Sequence, residues 1–377
     1  MKVLVTGGAG FIGSWLVDSL LRAGREVTVV DNLSPQIHGA VPNLDVAWLR
    51  DMSGVEFIRA DVRDAAAMDA ALASADSVVH LAAETGTGQS MYRIAHYYDV
   101  NQQATAALFE AIATRHRHVR KVILASSRSI YGEGAYELGG RVVVPAPRAA
   151  ARLTRGLFEP VGPAGEELHL VATPEDAPPF PASIYAATKL ANEVLGHVFA
   201  EAYGTSVIAL RFQNVYGERQ SLRNPYTGIL SIFSNRMRQQ LPVNIFEDGQ
   251  ESRDFVHVSD VTRAIGMALE AELPRFTVTN VGSGVATSVM AVAAILRHIL
   301  GSDSKLTVTG DFRAGDIRHC YADLARARAI LGFMPSVSLE QGLRAFCAWV
   351  RTQPILADRS AQAQQELSHI GLGKASS

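Results

Sequence analysis

Tyr185 and Lys189 stand four positions apart in Tyr185-Ala186-Ala187-Thr188-Lys189. On a helix that spacing projects both side chains from one face. A phenol beside an ammonium is a proton-transfer pair, because a nearby cation favours phenolate and lowers the tyrosine pKa. Tyrosine ordinarily ionises at about pH 10, so such assistance is what makes it a usable base at neutrality. Ser127 ends the apolar run 121–126 and offers a hydroxyl to a reacting oxygen. Taken alone, the Tyr–Lys pair is an ordinary exposed helix pair; the surrounding elements decide its meaning.

The first of those elements is residues 3–31, VLVTGGAGFIGSWLVDSLLRAGREVTVVD. Val3-Leu4-Val5 suits a buried parallel strand. Gly7 permits a tight turn, Gly10 lets backbone N–H groups approach a pyrophosphate, and Gly13 lets helix and strand pack closely. Phe11 and Ile12 open the helix that follows, and it stops near Gly24. The second strand, 27–30, ends on Asp31, about twenty positions after the glycines, where a carboxylate holds a ribose 2′-hydroxyl. An anion there repels a 2′-phosphate, so the expected cofactor is NAD rather than NADP. The alternative is a tight βα turn that binds nothing. With a dinucleotide in place, the nicotinamide's positive charge adds to the assistance given to Tyr185.

Six strand candidates, 3–5, 27–30, 55–58, 77–81, 121–126 and 206–211, alternate with helices. That pattern predicts an α/β fold, a Rossmann-type doubly wound parallel sheet with helices on both faces. Asp61, followed by Val62, lies just past a strand end and suits an adenine amino group, or else caps the next helix. His80-Leu81-Ala82-Ala83 ends a strand on small residues where a cofactor needs close approach; His80 itself reads as a structural histidine. Beyond residue 212 the segments shorten, as expected of a smaller substrate-binding lobe over the open end of the sheet. The expected organisation is a dinucleotide-binding domain over 1–211, a lobe mainly over 212–350 and a polar, mobile tail over 351–377. Residues 133–183 interrupt the pattern as a proline-rich insertion, either a lid or hairpin subdomain at the mouth of the site or a surface excursion.

The chain has 377 residues, 48% of them hydrophobic, and a formal net charge of −2. No basic field argues for nucleic acid or an anionic membrane. The run 115–121 is basic and reads as a solvated helix end. Two cysteines, Cys320 and Cys347, are too few for a disulfide framework. No Cys/His cluster has metal-ligand spacing. The first strand starts at residue 3 and no apolar run reaches membrane-spanning length, so a cytoplasmic protein without a signal peptide is expected.

Together these residues resemble the extended short-chain dehydrogenase/reductase family. The motifs are TGGAGFIG at 6–13, Asp31, HLAA at 80–83, SSRSIYG at 126–132, YAATK at 185–189 and RFQNVYG at 211–217. The family contains nucleotide-sugar epimerases, dehydratases, decarboxylases and reductases. The resemblance implies Ser127, Tyr185 and Lys189 as catalytic residues. It implies cofactor contacts at Gly7, Gly10, Phe11, Ile12, Gly13, Asp31, Asn32, Asp61, Val62, Leu81, Ala82, Ala83, Asn101, Tyr185 and Lys189. It implies substrate contacts at Glu84, Ser127, Ser129, Asn214, Arg253 and Arg318, the two arginines gripping a nucleotide pyrophosphate through paired N–H groups. It also implies a homodimer through helices at about 100–114 and 185–203. There Leu190, Val194, Val198, Phe199 and Ala202 form a stripe that could equally face its own sheet.

Within the family, 4,6-dehydratases place Asp-Glu directly after the catalytic Thr, whereas this chain has Arg128-Ser129. Elimination of water is therefore not expected, and simple oxidation and reduction at carbon is. The segments 83–91, 213–217, 224–233 and 245–249, with the insertion, resemble the dTDP-L-rhamnose 4-epimerase type. Some relatives of that type carry a paired-cysteine turn in the insertion; Gly162-Pro163-Ala164-Gly165 has none, so no zinc staple is expected. The resemblance implies C4 inversion of a dTDP- or UDP-sugar through a transient 4-keto sugar. The alternatives are a 4-ketoreductase, a UDP-hexose 4-epimerase and, most distantly, a non-catalytic dinucleotide sensor.

Overall fold

The structure, a computed structural model, describes residues 1–39, 53–224, 228–312 and 316–356. Seven parallel strands form the central sheet, in the spatial order Phe276–Val281, Ser206–Phe212, Lys121–Ser127, Ser77–His80, Lys2–Thr6, Glu26–Asp31 and Val55–Arg59. The strands read as apolar runs because helices cover both faces. On one face, helices Phe11–Arg22 and Val258–Glu270 pack through Leu16, Val17, Leu20, Val261, Ile265 and Ala268. On the other lie Ala65–Leu72, Ala104–Thr114 and Ile184–Tyr203, whose core includes Leu72, Leu108, Ile112 and Phe199.

The six anticipated strands are present, and Phe276–Val281 is a seventh. It alternates apolar residues with Thr277, Thr279 and Asn280, so it does not read as a buried run. It pairs with Ser206–Phe212 along its whole length. The chain therefore does not divide cleanly at residue 211: Val258–Glu270 and Phe276–Val281 return to the sheet layers after the chain has entered the lobe. The rest of the lobe packs around Phe233, Ile245, Phe255, Leu296, Leu343 and Phe346. The proposed tail begins within helix Leu339–Thr352, and positions 357–377 lie outside the described residues.

The insertion forms a small antiparallel sheet of Tyr136–Leu138, Arg141–Val143 and His169–Leu170. It is anchored to the lobe by the buried Arg148–Glu247 ion pair. Arg148 meets Glu133 and Glu247, each at 2.8 Å. Among the described residues, no helix is long and apolar enough to cross a membrane.

Candidate active site

The carboxyl ends of the strands open into one cleft of about 880 Å³ running from the glycine turn to the lobe. Its first part fits a dinucleotide. Gly7 adopts a positive φ of 70°, and a Cβ there would meet the Ala82 nitrogen at 2.8 Å. A Cβ on Gly13 would lie 2.2 Å from the Gly7 carbonyl oxygen. Gly10 caps helix Phe11–Arg22 with no side-chain hydrogen bond, so the first N–H groups of that helix are left for an anion. Asp31 accepts hydrogen bonds from the Ala9 and Leu33 amides at 3.1 and 2.9 Å. Burial raises its pKa, against those amides and His38. Asn32 donates to Asp61 at 2.9 Å, and the Arg63 guanidinium holds the Asp61 carboxyl well below the usual range. The cap of helix Ala65–Leu72 is Asp64, so the capping alternative for Asp61 does not hold. Phe11, Ile12, Val62, Leu81, Ala82 and Ala83 also line this part.

The structure brings Ser127, Tyr185 and Lys189 together on the cleft wall. Ser127 closes strand Lys121–Ser127, where its hydroxyl accepts from Ser129 N–H at 3.2 Å and Ser129 Oγ at 2.9 Å. Ser183 caps helix Ile184–Tyr203 by accepting from Ala186 N–H at 3.1 Å, which places Tyr185 in the first turn and Lys189 in the second. Lys189 Nζ donates to the Ala125 carbonyl at 2.8 Å and stands 5.8 Å from the Tyr185 ring centre. Burial lowers the Lys189 pKa to about 8. Burial also raises the Tyr185 pKa, opposed by a hydrogen bond with Ser127 and by the charge of Arg128. Lys189 is thus held near the phenol without bonding to it. In the protein alone the opposing cation is Arg128, while Lys189 spends its ammonium on a carbonyl.

On the substrate side, Glu84, Ser129, Asn214 and Arg253 line the cleft. The Asn214 Oδ1 is buried without a hydrogen-bond partner among the described residues. Arg253 donates to the carbonyls of Ser252, Arg318 and Ile317 at 2.8, 2.9 and 2.7 Å. Glu251, which sequence reasoning passed over, also lines the cleft, and burial raises its pKa to about 7.

Two expected contacts are not on the cleft wall. Arg318 is only 1% exposed and is caged by Glu159, Glu247 and Asp248, with closest separations of 2.6, 2.9 and 2.7 Å. Those carboxylates take the fork that a phosphate would have needed. Asn101 is also buried: its amide oxygen accepts from Glu84 N–H at 2.8 Å, and its Nδ2 donates to the Glu84 carbonyl and the Thr188 hydroxyl. It sits in the π-helical turn Asp99–Gln103, and its neighbour Val100 lines the cleft instead. Asn101 braces the Glu84 loop against the Tyr185 helix.

His80 is a buried structural histidine, within 2.8 Å of Thr6 Oγ1 and 3.0 Å of Thr105 Oγ1, with its pKa pushed down to about 3 by burial. The basic run is spent locally: Arg115 and His116 meet Asp69, and Lys121 donates to the carbonyls of Ala268, Leu269 and Ala271. Among the described insertion residues only Ala182 and Ser183 line the cleft. The apolar stripe splits: Phe199 stacks on Phe109 inside its own core, while Val194 and Val198 are 58% and 63% exposed.

The profile of the NAD dependent epimerase/dehydratase family matches residues 3–147 and 159–282. A dTDP-L-rhamnose 4-epimerase of Burkholderia thailandensis is 39% identical, over 93% of this chain and 94% of that one. A UDP-glucose 4-epimerase of Mycolicibacterium smegmatis is 34% identical, over 91% of this chain and 96% of its own length. A UDP-glucuronic acid 4-epimerase of Bacillus cereus, solved with UDP-glucuronic acid and NAD, superposes with a TM-score of 0.77 at 28% identity, covering 93% of this chain and 99% of its own.

Proposed function

The chain belongs to the NAD dependent epimerase/dehydratase family, and on that premise we propose that it is an NAD-dependent nucleotide-sugar 4-epimerase acting on a dTDP-6-deoxyhexose such as dTDP-L-rhamnose. The observation that carries this reading is the meeting of Ser127, Tyr185 and Lys189 in the same cleft as the glycine turn and Asp31. The similarity to a dTDP-L-rhamnose 4-epimerase favours the sugar.

Gly7, Gly10, Gly13 and Asp31 are the groups that would hold NAD, with Asn32 and Asp61 at the adenosine end. The dinucleotide, when bound, supplies the oxidation at C4 and the later re-reduction. Tyr185 takes the proton of the C4 hydroxyl and returns it after the sugar has turned. Ser127 orients the C4 oxygen by hydrogen bonding. Lys189 keeps a positive charge on the wall that carries the phenolate. Asn214 and Arg253 hold the nucleotide diphosphate, each charged contact worth about 1.5–3 kcal/mol, while the 4-keto sugar stays loose enough to present its other face. Arg128-Ser129 after Ser127 offers no carboxylate pair for eliminating water.

A cytoplasmic homodimer fits this reading, with the exposed Val194 and Val198 stripe as the pairing face. The test is incubation with a panel of UDP-, GDP- and dTDP-sugars, with no cofactor added and C4 configuration read by NMR. Inversion of a dTDP-6-deoxyhexose is expected. No inversion there, with one-for-one consumption of reduced cofactor in a parallel assay that supplies it, would make the protein a ketoreductase instead.

A further inference from the structure

Arg128 acts on Tyr185 through its charge and stands beside the reacting groups. It follows Ser127 directly and opens the 3₁₀ turn Arg128–Tyr131. The turn is fixed at both ends: Ser127 accepts from Ser129 N–H at 3.2 Å, and Gly132 takes a positive φ where a Cβ would collide with the Phe180 carbonyl oxygen. The side chain lines the cleft, and its guanidinium makes no hydrogen bond or ion pair among the described residues. Burial lowers its pKa to about 10, and Arg253 repels it as well. Asp316, Cys320 and Tyr185 pull the other way, but no carboxylate closes on it.

A half-buried guanidinium without an ion-pair partner is costly, and a second cation nearby raises that cost. Arg253 spends its own donors on carbonyls rather than carboxylates. The cleft therefore has two arginines repelling each other, neither held in an ion pair among the described residues. One anion lying between them offsets both. Arg128 interacts electrostatically with Tyr185 at the reaction end and with Arg253 at the diphosphate end. In a nucleotide sugar, the anion between those points is the phosphate that bears the sugar.

We propose that Arg128, paired with Arg253, binds the sugar-bearing phosphate of the substrate and so sets the distance between the anchored diphosphate and Tyr185. This rests on the nucleotide-sugar reading above. Guanidinium suits the task because its planar fork meets two phosphate oxygens at once. The sequence shows Arg128 only as the absence of the dehydratase acid.

The test uses the NAD-loaded enzyme and its Arg128→Met and Arg128→Lys variants, with calorimetric titration of dTDP, dTMP and UDP-glucuronic acid. Arg128→Met should weaken dTDP by about tenfold or more and leave dTMP within about twofold, since only the second phosphate reaches Arg128. Arg128→Lys, which keeps the charge but loses the fork, should fall between. If Arg128→Met fails to fold, Arg128→Lys alone decides, by a loss confined to dTDP. Equal weakening of dTDP and dTMP, or none, overturns the proposal. A loss seen with UDP-glucuronic acid alone also overturns it, because the residue would then serve a sugar carboxylate. Failure of the wild type to bind any of the three would sink the nucleotide-sugar reading and this assignment with it, whereas wild-type binding that Arg128→Met leaves intact would sink this assignment alone.

Discussion

Tyr185 and Lys189 share one face of helix Ile184–Tyr203, yet the ammonium is hydrogen-bonded away from the phenol, to the Ala125 carbonyl, and stands 5.8 Å from the ring centre. The hydroxyl that meets the phenol is that of Ser127. The pair is therefore arranged as a proton acceptor with a fixed charge nearby rather than as a direct ion pair.

Removing the phenol oxygen should abolish the chemistry and leave the binding. Tyr185→Phe is expected to lower turnover by about 10²–10⁴-fold through loss of the general base. Steady-state kinetics with nucleotide-sugar affinity measured in parallel check this, and near-normal turnover would remove Tyr185 from its role.

The acidity of Tyr185 should depend on the cofactor's charge. Burial raises its pKa in the protein alone, so at neutral pH the phenol keeps its proton. An adjacent positive charge favours the ionised form and moves the titration to lower pH. A tyrosinate absorbance titration, taken as wild type minus Tyr185→Phe, should therefore show a lower midpoint with NAD than with NADH. Equal midpoints would mean that the ring does not sense the nicotinamide.

Cofactor choice should follow Asp31. Its two hydrogen bonds from Ala9 and Leu33 fix the carboxylate at the edge of the groove. Asp31→Ala should weaken NAD and relax discrimination against NADP. An unchanged ratio of the two affinities would show that the carboxylate does not face the ribose.

Much of this site was legible in local sequence, and each failure has its own physical cause. The turn at Gly7 and the close packing at Gly13 are read correctly because their constraint is local, in a turn and the helix it opens. Tyr185 and Lys189 are read correctly as neighbours because helical geometry alone sets the spacing. Arg318 is not legible, because the chemistry that draws a guanidinium to phosphate also draws it to carboxylate. One of its carboxylate partners, Glu159, lies 159 positions away in the chain. Asn101 misleads for a different reason: one π-helical turn makes it a brace and leaves Val100 on the cleft wall. Phe276–Val281 is hidden by its threonines, which a buried strand tolerates because the Pro274 carbonyl accepts from the Thr277 hydroxyl and Glu175 from that of Thr279.

Arg318 is accordingly expected to matter for stability. Arg318→Ala leaves Glu247 buried with one cation fewer, beside Glu159 and Asp248. The expected loss is about 3 kcal/mol of unfolding free energy, the lower end for breaking a buried pair, because Glu159 and Asp248 are 60% and 44% exposed. Urea denaturation measures this. Unchanged stability with weakened nucleotide-sugar binding would return Arg318 to the cleft.

The central claim is that C4 of the sugar is oxidised and re-reduced inside one closed site. The most direct measurement uses substrate carrying deuterium at C4, turned over without added cofactor. The account predicts an inverted product that keeps its deuterium at C4 and takes up none from solvent water. Loss of the label to water during inversion would contradict it.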